Sequence, residues 1–131
     1  MKILVGYDGS KMAKAALELA KERVKAWGAK IDIINCMARS RNLQYEEINK
    51  SEQNLEGDAH HILNPANVSY ETHLQISEQE SGESLVEYAA QNKVDEIIIG
   101  IRRRSKVGKL IFGSTAQYVI LNAPCPVISI K

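Results

Sequence analysis

Lys2-Ile-Leu-Val-Gly-Tyr7, running into Asp8-Gly-Ser10, decides the fold of this chain. The first six residues form a short apolar run of the kind a parallel strand needs when both of its faces are covered. Asp8-Gly9 then turns the chain, and Ser10 is suited to cap a helix, because its hydroxyl can accept from the open N–H groups of a first turn. Met12, Ala13, Ala16, Leu17, Ala20 and Val24 recur at helical spacing, with Lys14, Glu18 and Lys25 on the other side. Gly28 ends the pattern as a left-handed cap residue.

The same strand-then-helix grammar continues outward from this unit. Lys30-Ile-Asp-Ile-Ile-Asn-Cys36 reads as a second strand. Residues 41–60 are mostly polar, with Leu43, Ile48 and Leu55 widely spaced, and predict a helix lying loosely on the surface. Asn64-Pro65-Ala66-Asn67 is a turn, and the alternation over residues 68–74 predicts a third strand near a sheet edge. Ser81-Gly82-Glu83 opens a helix that carries Leu85, Val86, Tyr88, Ala89 and Ala90 to about residue 92. Residues 94–99 are a fourth strand and residues 114–122 a fourth helix. Ala123-Pro124-Cys125-Pro126 stops that helix, and residues 127–130 close as a fifth strand.

Strands and helices that alternate in this way predict an α/β fold: one domain over residues 1–131, with a parallel sheet covered by helices on both faces. Right-handed crossovers leave few topologies, and the expected five-strand order is 3-2-1-4-5, a Rossmann-like open sheet in three layers. Winding reverses between strands one and four, and ligands of open sheets bind in the crevice beyond the carboxyl ends at such a reversal. Those ends are Gly6-Tyr7-Asp8 and Ile99-Gly100.

The loop leaving strand four carries the strongest chemical signal. Five of the nine residues from 101 to 109 are Arg or Lys and none is acidic. A basic, glycine-containing loop that runs into a helix start at Ser114 is a receptor for phosphate, since first-turn N–H groups lack partners and the helix dipole favours an anion there. A bound phosphorylated small molecule, most simply an adenine nucleotide, is the reading.

Bulk properties exclude other classes. Net charge is +1 and apolar residues make up 44%, so neither a nucleic-acid-binding surface nor membrane association is expected. The N-terminus enters a strand at once, and a cytoplasmic location is the default expectation. Cys36 and Cys125, with no CxxC spacing, read as buried reduced thiols. His60, His61 and His73 show no ligand spacing and read as surface side chains, so no metal site is expected. Trp27, Phe112, Tyr7 and Tyr118 are expected to pack in the core, Tyr7 close enough to the crevice to touch a base.

These residues resemble the universal stress protein family over nearly the whole chain. Ile3-Leu-Val-Gly-Tyr-Asp8-Gly-Ser10 is similar to the family's first strand and turn, and Ala123-Pro-Cys-Pro-Val-Ile-Ser-Ile130 to its last turn and strand. Gly100 and Gly113-Ser114 stand at the separation of the glycines in its nucleotide-binding members, while Arg103 occupies the position of their second glycine. The resemblance implies an adenine-nucleotide alpha hydrolase-like fold and a regulatory ligand, ATP or AMP, with Mg2+ accompanying ATP. It places Asp8 at the adenosine and the backbone of Cys36 along the adenine edge. Gly6 and Tyr7 would stand nearby, Ile99 and Gly100 beneath the ribose, and Gly113, Ser114 and Thr115 at the phosphates. It also implies a cytoplasmic homodimer paired through residues 127–130.

Arg103 either blocks the pocket or offers a guanidinium fork to the same phosphate. Its neighbours Arg102, Arg104, Lys106 and Lys109 favour the fork. The alternative is a dimeric interaction module of the same family whose site Arg103 has closed. Asp8 reads equally as a ligand or as a turn former bonding the backbone of Ser10. Gly108-Lys109 is no P-loop, because Arg103 and Leu110 stand where that motif needs Gly and Ser or Thr. Without a nucleophile, a base and an orienting acid, catalysis is not expected.

Overall fold

The computed structural model describes residues 1–101 and 112–131. Five strands and four helices alternate along them: β1 (Lys2–Gly6), α1 (Lys11–Trp27), β2 (Lys30–Ala38), α2 (Tyr45–Leu63), β3 (Tyr70–Ser77), α3 (Ser81–Gln91), β4 (Glu96–Gly100), α4 (Ser114–Asn122) and β5 (Val127–Ile130). The strands form one parallel sheet in the order β3-β2-β1-β4-β5, as expected.

Side-chain alternation sorts the apolar residues into two cores. Ile3, Val5, Ile31, Ile33 and Ile98 face α1 and α2, whereas Leu4, Ile34, Ile97 and Ile99 face α3 and α4. Leu17, Ala20 and Val24 of α1 close the first core, and Leu85, Ala89, Ala116 and Val119 close the second. Each large side chain fully removed from water contributes about 1.5–3 kcal/mol, so β1, covered on both sides, is the strand on which the layers depend.

Local signals account for the helix ends. Ser10 caps α1 with its hydroxyl accepting from the Ala13 amide at 3.1 Å, and Gly28 ends it at φ +64. Arg23 of α1 forks onto Glu96 of β4, its Nη2 donating to Oε2 at 2.6 Å and its Nε to Oε1. That pairing is what allows Glu96, only 6% exposed, to sit inside the structure.

Four expectations need correction. The helix α2 does not lie loosely, because Leu55, Ala59, Ile62 and Leu63 form a buried stripe along its C-terminal half. Trp27, the last residue of α1, is 68% exposed. Phe112 and Tyr118 are also exposed in part, although the Tyr118 side chain still lies on α3. His73 keeps 37% of its side chain exposed, as a surface residue would, although its Nε2 is buried.

Packing between α3 and α4 requires a glycine. A Cβ on Gly82 would stand 2.8 Å from that of Tyr118, closer than carbon atoms approach. Gly82→Ala is therefore expected to cost about 1–3 kcal/mol in urea unfolding. Gly57, exposed on α2 with open space around it, should gain about 0.5–1 kcal/mol as Ala. Equal midpoints for the two variants would contradict this packing.

Candidate functional site

β1 and β4 are neighbours, with Val5 in register with Ile98. The helices that follow them in sequence, α1 and α4, lie on opposite faces of the sheet. The space between the departing chains is a cleft of about 920 Å³. Ile34, Leu85, Ile99, Ile101 and Ala116 give it apolar lining, and Asp8, Ser10, Lys11, Ser81 and Lys131 give it polar groups.

Of the residues singled out from the sequence, Gly6, Tyr7, Asp8, Cys36, Ile99, Gly100, Gly113, Ser114 and Thr115 all line this one cleft. Arg102 and Arg103, with Arg104, Lys106, Gly108 and Lys109, lie outside the described residues. Lys11, Met12, Ser81 and Lys131 also line the cleft and were not anticipated. Ser81 had a detectable signal as the opening residue of α3. Lys131 had none, because only the sheet order brings the end of β5 to this rim.

Asp8 forms the turn that the bland reading foresaw: its Oδ1 accepts from the Ser10 amide at 3.0 Å. Gly9 between them has φ +82, a backbone region that favours glycine. The carboxylate is nonetheless exposed at the cleft wall. Tyr7 is committed elsewhere. Its hydroxyl donates to the Asp58 carboxylate and stands 3.3 Å from the Asn54 carbonyl, tying β1 to α2. Burial first, then the Asp58 hydrogen bond, pushes its pKa well above the usual phenol value.

The start of α4 differs from expectation in a way that matters. Gly113, not Ser114, occupies the cap position with an extended backbone at φ −68 and ψ 160, and makes no side-chain cap bond. Ser114 is the first helical residue, and the first backbone bond into the helix runs from Gln117 N–H to the Gly113 carbonyl at 3.0 Å. The amides of Ser114, Thr115 and Ala116 thus precede the helix ladder, and a glycine cap puts no side chain of its own over them. Together with the helix dipole, this makes the rim of the cleft a receptor for an anion.

Gly100 has a structural role regardless of ligand. A Cβ there would fall 2.5 Å from the Cβ of Met12, so glycine lets the first turn of α1 close onto β4. At the other end of the cleft, Ser81 Oγ donates to the Cys36 carbonyl at 3.2 Å. Burial pushes the Cys36 thiol up to about 11.

Comparison with known proteins agrees with the geometry. The model of the universal stress protein family matches residues 1–131. A universal stress protein of Mycolicibacterium smegmatis is 30% identical over 98% of this chain and 96% of its own length. The structure of a universal stress protein from Archaeoglobus fulgidus covers 100% of this chain and 98% of its own at 34% identity, with a TM-score of 0.90. A further structure from that organism, in complex with dAMP, covers the same shares at 30% identity and a TM-score of 0.84. The chain belongs to the universal stress protein family.

The raised thiol pKa gives a direct check on the cleft. A folded state that favours the neutral thiol keeps its full stabilisation below the unfolded value of about 8.5 and loses it as pH rises toward the folded value. In a Cys125→Ser background, the iodoacetamide rate at Cys36 should keep climbing to a half-maximum near pH 11. A plateau at about pH 9, the behaviour of an exposed thiol, would show that Cys36 is not buried as described.

Proposed function

We propose that this universal stress protein binds an adenine nucleotide, AMP or ATP, in the cleft between β1 and β4. The nucleotide acts as a regulatory ligand in a stress response and is not turned over as a substrate. One observation carries this reading: residues from both ends of the sequence, chosen for nucleotide chemistry, meet at a helix start with open amides. The dAMP complex of the Archaeoglobus fulgidus relative supports it.

In this arrangement the base lies over Ile34 and along the backbone of Cys36. The ribose passes Asp8 and Gly100, and the phosphates take the amides of Ser114 and Thr115. A charge-assisted bond to a backbone N–H is stronger than a neutral one, so the phosphate end supplies orientation and the apolar wall supplies area. Arg102 and Arg103, on the basic loop of the sequence, add guanidinium donors to the same phosphates. Where ATP is the ligand, Mg2+ accompanies it, and Asp8 is the carboxylate lining the cleft among the described residues.

The chain works as a cytoplasmic homodimer paired through β5. That strand closes one edge of the sheet, bonded to β4 on one side only, and a parallel row of open backbone groups is a ready template for a second copy. Ile120 and Leu121 of α4 are exposed as well. No helix among the described residues is long and apolar enough to cross a membrane.

Nucleotide at about a hundred times its dissociation constant should stabilise the chain by about 2.7 kcal/mol, visible as a rise of several degrees in melting temperature. Arg103→Ala should weaken that effect, in keeping with a guanidinium on the phosphate. A stronger effect in Arg103→Ala would instead mean that this arginine plugs the site. No shift with millimolar AMP, ATP or ATP with Mg2+ would leave the dimeric interaction module as the better account. Sedimentation at micromolar concentration should give a dimer, and a monomer would remove the β5 pairing.

A further inference from the structure

Asp32 stands on the face of β2 that packs beneath α3, and only 1% of it reaches solvent. Burying a carboxylate is expensive unless its oxygens are satisfied. Tyr88 Oη donates to Oδ2 at 2.8 Å, while Oδ1 has no hydrogen-bond partner among the described residues. His73 Nε2 is likewise buried without a hydrogen-bond partner among them. The register sets Asp32 opposite Glu71 and Ile34 opposite His73. All three polar residues therefore project from one face of adjacent strands. One donor atom from each lies within 4.8 Å of those of the other two, and Glu71 Oε2 is already 3.6 Å from His73 Nε2.

We propose that Asp32, Glu71 and His73 form a binding site for a divalent transition-metal ion of the Zn2+ type, separate from the nucleotide cleft. Two carboxylate oxygens and one imidazole nitrogen suit such an ion, and leave a position open for water. Bonds of about 2.0–2.2 Å require the donors to draw together slightly. Glu71, with 54% of its side chain exposed, is free to rotate toward the other two. Tyr88 touches two of the three, since its hydroxyl fixes the buried Asp32 and its ring lies 5.8 Å from that of the half-buried His73. Outer partners of this kind orient metal ligands and set which atom stays available.

Lys30 is the competitor. Its Nζ is 3.0 Å from Glu71 Oε1 and 3.9 Å from Asp32 Oδ1, so the ammonium occupies the cation position when no metal is bound. With 38% of its side chain exposed, it can swing into solvent. The site holds one cation at a time, and Lys30 sets the threshold at which a metal enters.

Calorimetric titration with Zn2+, and absorption spectra with Co2+, test this on the full chain. The expected result is one ion per chain, with Asp32→Asn and His73→Gln each weakening binding by about tenfold or more. Lys30→Met should tighten it by roughly tenfold or more, because a neighbouring positive charge has been removed. The Co2+ spectrum should show oxygen and nitrogen ligation without a thiolate charge-transfer band. Absence of binding at about a hundredfold molar excess of metal overturns the proposal. So does binding that ignores both His73→Gln and Lys30→Met, since the ion then sits elsewhere, at His60-His61 or a cysteine. The Lys30 variant reads as a gain, so an unfolded chain cannot imitate the expected result.

Discussion

The handedness of the chain crossings is the constraint on which this structure rests. A parallel strand needs a crossover to reach its neighbour, and a right-twisted strand feeding a right-handed helix packs back onto the sheet in one sense only. Building outward from β1 through α1 and α2 therefore places both helices on one face. The return through α3 and α4 covers the other. At the seam between β1 and β4 the two crossings diverge, and no short connection can fill the space above the strand ends. The cleft follows from topology before any side chain is chosen.

Sequence then specialises that space. Gly100 admits Met12 so that α1 seats tightly, and Gly9 makes the turn that brings Asp8 to the wall. Gly113 caps α4 without a side chain, which is a weaker way to end a helix than Ser or Asp but keeps its amides accessible. Beneath the cleft, the sheet tolerates three polar intrusions, at Tyr7–Asp58, Arg23–Glu96 and Tyr88–Asp32. All three tie a helix to the sheet. The third leaves one carboxylate oxygen without a hydrogen bond among the described residues, facing the Lys30 ammonium at 3.9 Å, and that distinguishes the Asp32 region from an ordinary buried pair.

Strand order, helix number and the residues around the cleft were legible in the sequence, because apolar runs and glycine or serine punctuation are local signals. The ends of individual elements shifted by up to four residues: β2 continues to Ala38, β3 spans Tyr70–Ser77 and α2 spans Tyr45–Leu63. The stripe on α2 was missed because two of its members follow a pair of histidines and one is alanine, a small side chain with little hydrophobic contrast. Trp27 misled for the opposite reason, being strongly apolar yet standing exposed as the last residue of α1. The Asp32, Glu71 and His73 grouping was invisible for a deeper cause. Asp32 lies far in sequence from Glu71 and His73, and only the β2–β3 register brings the three together.

The central claim is that one cleft, formed by residues distant in sequence, receives an adenine nucleotide at the start of α4. Amide chemical-shift mapping during an AMP titration tests it residue by residue. The account predicts saturable shifts concentrated at Gly6, Asp8, Gly100, Gly113, Ser114 and Thr115. Shifts scattered over the surface, or none at these six amides at millimolar AMP, would contradict it.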